Sequence, residues 1–125
     1  MPMRLTEIQP PVGLPVDGYG PGFFRIAGSV HEGPVIVAEG RALAWAGLDD
    51  PAPLFALATR VDVLLVGTGN SLLPLPGGLQ SRLEAAGLGV EFMASPSAAR
   101  GYNLLLAEGR RVAAALVPVS AAPPA

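Results

Sequence analysis

Apolar residues change their spacing along this chain, and the change divides it into two halves. In the first half the apolar runs are short and end in glycine. Phe23, Phe24 and Ile26 predict a first strand, entered through the turn-rich stretch Gly18-Tyr19-Gly20-Pro21-Gly22. Residues 29–40 predict a second strand with Val35, Ile36 and Val37 at its core, and Gly33-Pro34 marks a bulge or edge break within it. Residues 42–46 predict a third strand, bounded by Gly40 and Gly47. The short connections imply an antiparallel meander. Residues 1–15 are proline-rich, with Leu5 and Ile8 as their apolar alternation, and read as an extended arm that adds an edge strand.

After Asp50-Pro51 the period lengthens. Asp followed by Pro is the pattern of an N-cap and first helical residue, and Leu54, Leu57 and Ala58 follow at helical spacing, so a short helix is expected over 51–59. The continuous apolar run from Val61, "VDVLLVGTG", suits a strand buried on both faces. Pro76-Gly77-Gly78 opens a second helix, with Leu79, Leu83 and Ala86 on one side and Gly87 as its stop. Residues 89–94 form the next strand. Ser95-Pro96 repeats the capping pattern, and Ala98, Ala99, Tyr102, Leu105 and Leu106 mark one face of a third helix ending at Gly109. Residues 111–119 form the last strand. The predicted order is β-β-β-α-β-α-β-α-β. It implies an α/β fold, and the antiparallel start makes it a mixed sheet, or a central sheet with an added β layer. No internal repeat or long linker divides the 125 residues, so one domain over 1–125 is expected, with its ordered core at about 4–119.

Composition narrows the function classes. Half the residues are hydrophobic and only 14% are charged, well under the roughly 25% of an average domain. Sparse charge leaves more apolar surface to be covered, by a partner protein or by a second copy of the chain. The net charge is −2, and Arg110-Arg111 is the one adjacent basic pair, which argues against nucleic acid as a partner. All eight basic residues are arginine, a sign of compositional bias. With no cysteine there is no disulfide, thiolate nucleophile, Fe–S cluster or cysteine zinc site. The single histidine, His31, supplies no metal centre and reads as a solvated strand residue. No cofactor is implied. The N-terminal residues carry no apolar signal-peptide core, and no apolar segment approaches the ~20 residues of a membrane span. A cytoplasmic location is expected.

Two features carry candidate chemistry. Gly67-Thr68-Gly69-Asn70 follows the buried strand, where ligands sit in open α/β sheets. The dinucleotide fingerprint is incomplete, because its third glycine position holds Leu72 and "SLLPLPGG" delays the helix. The structural alternative is that the glycines simply let the chain turn. On the third helix, Arg100 and Asn103 share a face, and Arg100 faces a candidate partner in Glu91. The favoured reading is a hydrogen-bond network; the rival is an anion or carbonyl clamp beside the Gly67 turn. The candidate pocket is therefore Gly67, Thr68, Gly69, Asn70, Arg100 and Asn103. No nucleophile–base pair is visible: Ser71 and Ser81 lack a nucleophile elbow, and Asp49-Asp50 reads as helix capping.

Three segments stand in order: "GYGPGFFRI", "VDVLLVGTG" and "ARGYNLLLAEGRRVAAALVPV". Together they resemble a small family of uncharacterised domains that includes the mitochondrial NADH:ubiquinone oxidoreductase (complex I) assembly factor 3 and an adipogenesis-associated cytoplasmic protein. The resemblance covers residues 4–119. It implies a three-layer α/β single domain, with a mixed central sheet, helices on both faces and an extra antiparallel β layer from the N-terminal half; no established reaction for bacterial members; and protein–protein association during complex I assembly for the mitochondrial one. One departure is visible: the family usually has Thr before the Tyr-Asn pair, where this chain has Gly101. The expected function is a non-enzymatic interaction protein, an assembly factor or accessory of a membrane respiratory complex. The alternative is a small-molecule-binding or enzymatic domain with its pocket at the Gly67-Thr68-Gly69 turn.

Overall fold

The computed structural model describes residues 13–121; the proposed N-terminal edge strand around Leu5 and Ile8 lies outside them. Eight strands are described: β1 (Val16–Gly20), β2 (Phe23–Ile26), β3 (Ser29–Glu32), β4 (Val35–Ala38), β5 (Arg41–Ala44), β6 (Val63–Thr68), β7 (Gly89–Met93) and β8 (Val112–Val117). The helices are α1 (Ala52–Phe55), α2 (Leu79–Ala85) and α3 (Ser95–Ala107), and a 3-10 turn (Pro76–Gly78) leads into α2. Strands β1-β2-β3 form an antiparallel meander. The second sheet has five strands in the order β5-β4-β8-β6-β7. Within it β4 runs antiparallel to β5 and β8, while β6 runs parallel to β7 and β8.

Side-chain alternation along the central strands sends residues to two cores. Ile36, Leu64, Val66, Ala113 and Ala115 face α1 and α2, packing on Leu54, Leu79 and Leu83. Val35, Val37, Leu65, Ala114 and Leu116 face α3 and the small sheet, packing on Ala98, Tyr102, Phe24 and Ile26. The result is the expected three layers: helices, a mixed central sheet, then a helix beside an antiparallel sheet. Because β4, β6 and β8 are covered on both faces, their sequences are continuously apolar rather than alternating.

The structure alters several boundaries. A strand, β1, precedes the Pro21-Gly22 turn, where the sequence suggested only a turn. Gly22 takes φ +81 while Gly20 stays within the strand, and a Cβ on Gly20 would meet the Phe23 ring at 2.5 Å. Residues 29–40 are not one strand: the chain leaves the small sheet at Gly33-Pro34 and enters the large one as β4. The third predicted strand sits slightly earlier, and Trp45, just past it, is buried with its indole N–H on the Asp50 carbonyl at 2.9 Å. Asp50 does not cap α1; Pro51 stands at that position with no side-chain cap bond, and the regular helix is only four residues long.

Candidate functional site

The Gly67 turn lies at the carboxyl end of β6, and its polar groups are spent on neighbouring chain. Ser95 is wholly buried at the first turn of α3. It does not cap its own helix, since Ala94 holds the N-cap position. Instead its Oγ accepts the Gly69 N–H at 2.9 Å and donates to the Val117 carbonyl at 2.5 Å, while its N–H donates to the Gly69 carbonyl at 2.8 Å. Thr68 Oγ1 lies 2.7 Å from the Ser71 carbonyl and 3.1 Å from that of Met93, and accepts the Leu73 N–H at 3.1 Å. Asn70 accepts the Ser120 N–H at 2.7 Å and donates to the Ser120 carbonyl at 3.4 Å. Buried donors and acceptors are thereby paired across β6, β7, β8 and α3. Gly67 is needed for close approach: a Cβ there would stand 2.6 Å from Ser95 Oγ and 2.8 Å from Ser95 Cα.

Asn103 and Arg100 sit elsewhere on α3. At ~1.5 Å of rise per residue, Asn103 is about 12 Å along the helix from Ser95. It holds β1, accepting the Val16 N–H and donating to the Val16 carbonyl, both at 2.8 Å. The neighbouring Tyr102 donates to the Leu14 carbonyl at 2.8 Å. Burial pushes the Tyr102 phenol up to about 12. Arg100 is exposed and reaches Ser97 Oγ at 3.3 Å rather than Glu91. The interior Asn thus clamps helix to sheet. Gly101 lets α3 lie close to the sheet, since a Cβ there would approach Leu65 Cδ1 to 3.1 Å.

Open space lies at the opposite end of the sheet. A cleft of about 400 Å³ is lined by Glu39, Arg60, Val61, Leu106, Arg110 and Val112, among others. It sits where β6 and β8 begin, roughly 20 Å from the Gly67 turn at ~3.3 Å per strand residue. A smaller groove between β5 and α1 shares Glu39 and Arg60 with it. None of the six residues singled out by sequence lines either space. Arg60 Nε is 2.7 Å from Glu39 Oε1, and Arg111 Nη2 is 3.3 Å from Asp62 Oδ1. The sequence signal that pointed here was Arg110-Arg111, noted there only as the one adjacent basic pair. Among the described residues, no group of three His, Asp or Glu side chains is placed to hold a metal ion.

Exposed large apolar side chains among the described residues include Tyr19, Val30, Leu43 and Leu104, and one adjacent pair. Leu72 and Leu73, in the loop after the Gly67 turn, are 59% and 53% exposed. No charged residue lies between Asp62 and Arg82. No helix among the described residues is long and apolar enough to cross a membrane.

Comparison with known proteins agrees with this architecture. An uncharacterised protein of Rhodobacter capsulatus is 57% identical over 111 residues, covering 89% of this chain and 90% of that one. The NADH dehydrogenase [ubiquinone] 1 alpha subcomplex assembly factor 3 of Danio rerio is 30% identical, over 93% of this chain and 71% of its own length. The crystal structure of an outer membrane protein from Bartonella henselae superposes with a TM-score of 0.77 at 34% identity, covering 88% of this chain and 98% of that one. The family model described as Protein of unknown function (DUF498/DUF598) matches residues 16–117, and the chain belongs to that family.

Proposed function

We propose that this protein is a non-enzymatic interaction factor that assists assembly of a membrane-bound respiratory complex through contact with one of its protein subunits. The observation that carries the reading is the alignment with an NADH dehydrogenase assembly factor along 93% of the chain. The surface supports it. Leu72 and Leu73 stand out to solvent on an uncharged loop anchored by Thr68 and Ser95. A rigidly based apolar loop suits protein contact, because little ordering entropy is lost when it docks. The closed hydrogen bonding at Gly67 to Asn70 favours this reading over catalysis at that turn.

Deleting the gene in its native host is the direct test. Native gels should show less assembled NADH dehydrogenase and more subassembly. Re-expressing the native chain should restore assembly, and the Leu72→Ser/Leu73→Ser double variant should not. Unchanged complex in the deletion strain would overturn the proposal.

A further inference from the structure

The cleft at the amino ends of β6 and β8 gathers Arg60, Arg110 and Arg111 in a chain whose net charge is −2. Among the described residues Glu39 is the one carboxylate lining it. The Arg60–Glu39 contact runs through Nε. The planar guanidinium fork of arginine matches a carboxylate or phosphate, and the Arg60 side chain is more than half exposed beside Glu39. Glu39 occupies a left-handed turn position at φ +53 in the β4–β5 hairpin, which places its carboxylate at the rim of the cleft. Arg111 Nη2 lies 3.3 Å from Asp62 Oδ1, with both side chains exposed.

The floor beneath these cations is apolar. Val61 and Val112 are buried, and Leu106 lies alongside. The carboxyl end of α3, whose open carbonyls would repel an anion, is closed by the Gly109 and Arg110 N–H groups bonding the Leu106 and Leu105 carbonyls. A volume of about 400 Å³ falls within the range of small-molecule sites. A cationic rim over an apolar floor complements a ligand with both features. A bare anion leaves the floor wet, and a neutral hydrocarbon leaves a rim of three arginines and one glutamate with its excess positive charge unmatched.

We infer that this cleft binds a small amphiphilic anion, its carboxylate or phosphate head on Arg60, Arg110 and Arg111 and its hydrocarbon body on Val61, Leu106 and Val112. The site is independent of the assembly role, and either can fail alone. The test is amide NMR titration of the full chain with octanoate, octyl phosphate, octanol and inorganic phosphate, all below micelle-forming concentrations. Octanoate or octyl phosphate should shift the signals of Val61, Leu106, Gly109 and Val112, and which of the two binds tighter identifies the head group. Octanol and inorganic phosphate should bind at least tenfold more weakly. The Arg60→Gln/Arg110→Gln double variant should lose at least tenfold in affinity. Shifts confined to Leu72 and Leu73, octanol binding equal to octanoate, or phosphate alone equal to octyl phosphate would each overturn the inference. If the double variant does not fold, the footprint on the native chain decides.

Discussion

Ser95 shows how much one buried hydroxyl can hold. It joins the turn after β6 to the end of β8 while sitting inside the first turn of a helix. Ser95→Ala leaves the Gly69 N–H and the Val117 carbonyl without this partner, and should cost about 1–3 kcal/mol, read by urea denaturation. Gly67→Ala drives a Cβ against the Ser95 backbone and should cost a similar ~1–3 kcal/mol by overpacking. Since the close atom includes Ser95 Cα, adding Ser95→Ala should not rescue it. Tyr102 links stability to alkaline pH. Its folded pKa stands at about 12 against 10.0 for the unperturbed group, so the folded state disfavours ionisation. That stabilisation is complete below pH 10 and is lost as pH rises from there toward 12. Tyr102→Phe should flatten this part of the pH–stability curve, and an unchanged slope would show that other groups cause it. Gly69 turns the chain at φ +97, as the sequence suggested, but the reason for Gly67 was not visible there. The atoms that exclude a Cβ at Gly67 belong to Ser95, far along the chain.

At the scale of elements, α3 fastens the small sheet to the rest. Asn103 and Tyr102 grip Val16 and Leu14 across separations of 87 and 88 residues. Asn103→Ala should therefore loosen β1 and β2 selectively. Hydrogen exchange should quicken there with β6 and β8 unaffected, and overall stability should fall by about 1–3 kcal/mol. Uniform quickening would show that the sheets unfold together. The long-range clamp also explains why β1 escaped the sequence reading. Val16-Asp17-Gly18-Tyr19-Gly20 has little intrinsic strand preference; pairing with β2 and the Asn103 clamp make it a strand. By contrast β6 and α3 were legible, because their apolar spacing reflects burial directly. The sheet change at Gly33-Pro34 was legible only as a break, since local sequence does not say which sheet a strand joins next.

At the scale of the molecule, the two ends of the central sheet differ. Its carboxyl end is sealed by Ser95, Thr68 and Asn70 and carries the Leu72–Leu73 loop outward; its amino end holds the arginine-rimmed cleft. Leu72→Ser/Leu73→Ser should shift stability by no more than about 0.5 kcal/mol, because both side chains are exposed. A large loss in a thermal melt would mean that the loop supports the fold rather than a partner. The sequence by itself determined the α/β character, the alternation of strands and helices in the second half, and the absence of cysteine chemistry, because burial periodicity and residue type are local properties; the three layers came from the family resemblance. Only the tertiary structure decided which polar groups meet. Glu39, Arg60 and Arg110 come together because the sheet order β5-β4-β8-β6-β7 sets the end of β4 beside the starts of β6 and β8, and no spacing along the chain encodes that adjacency.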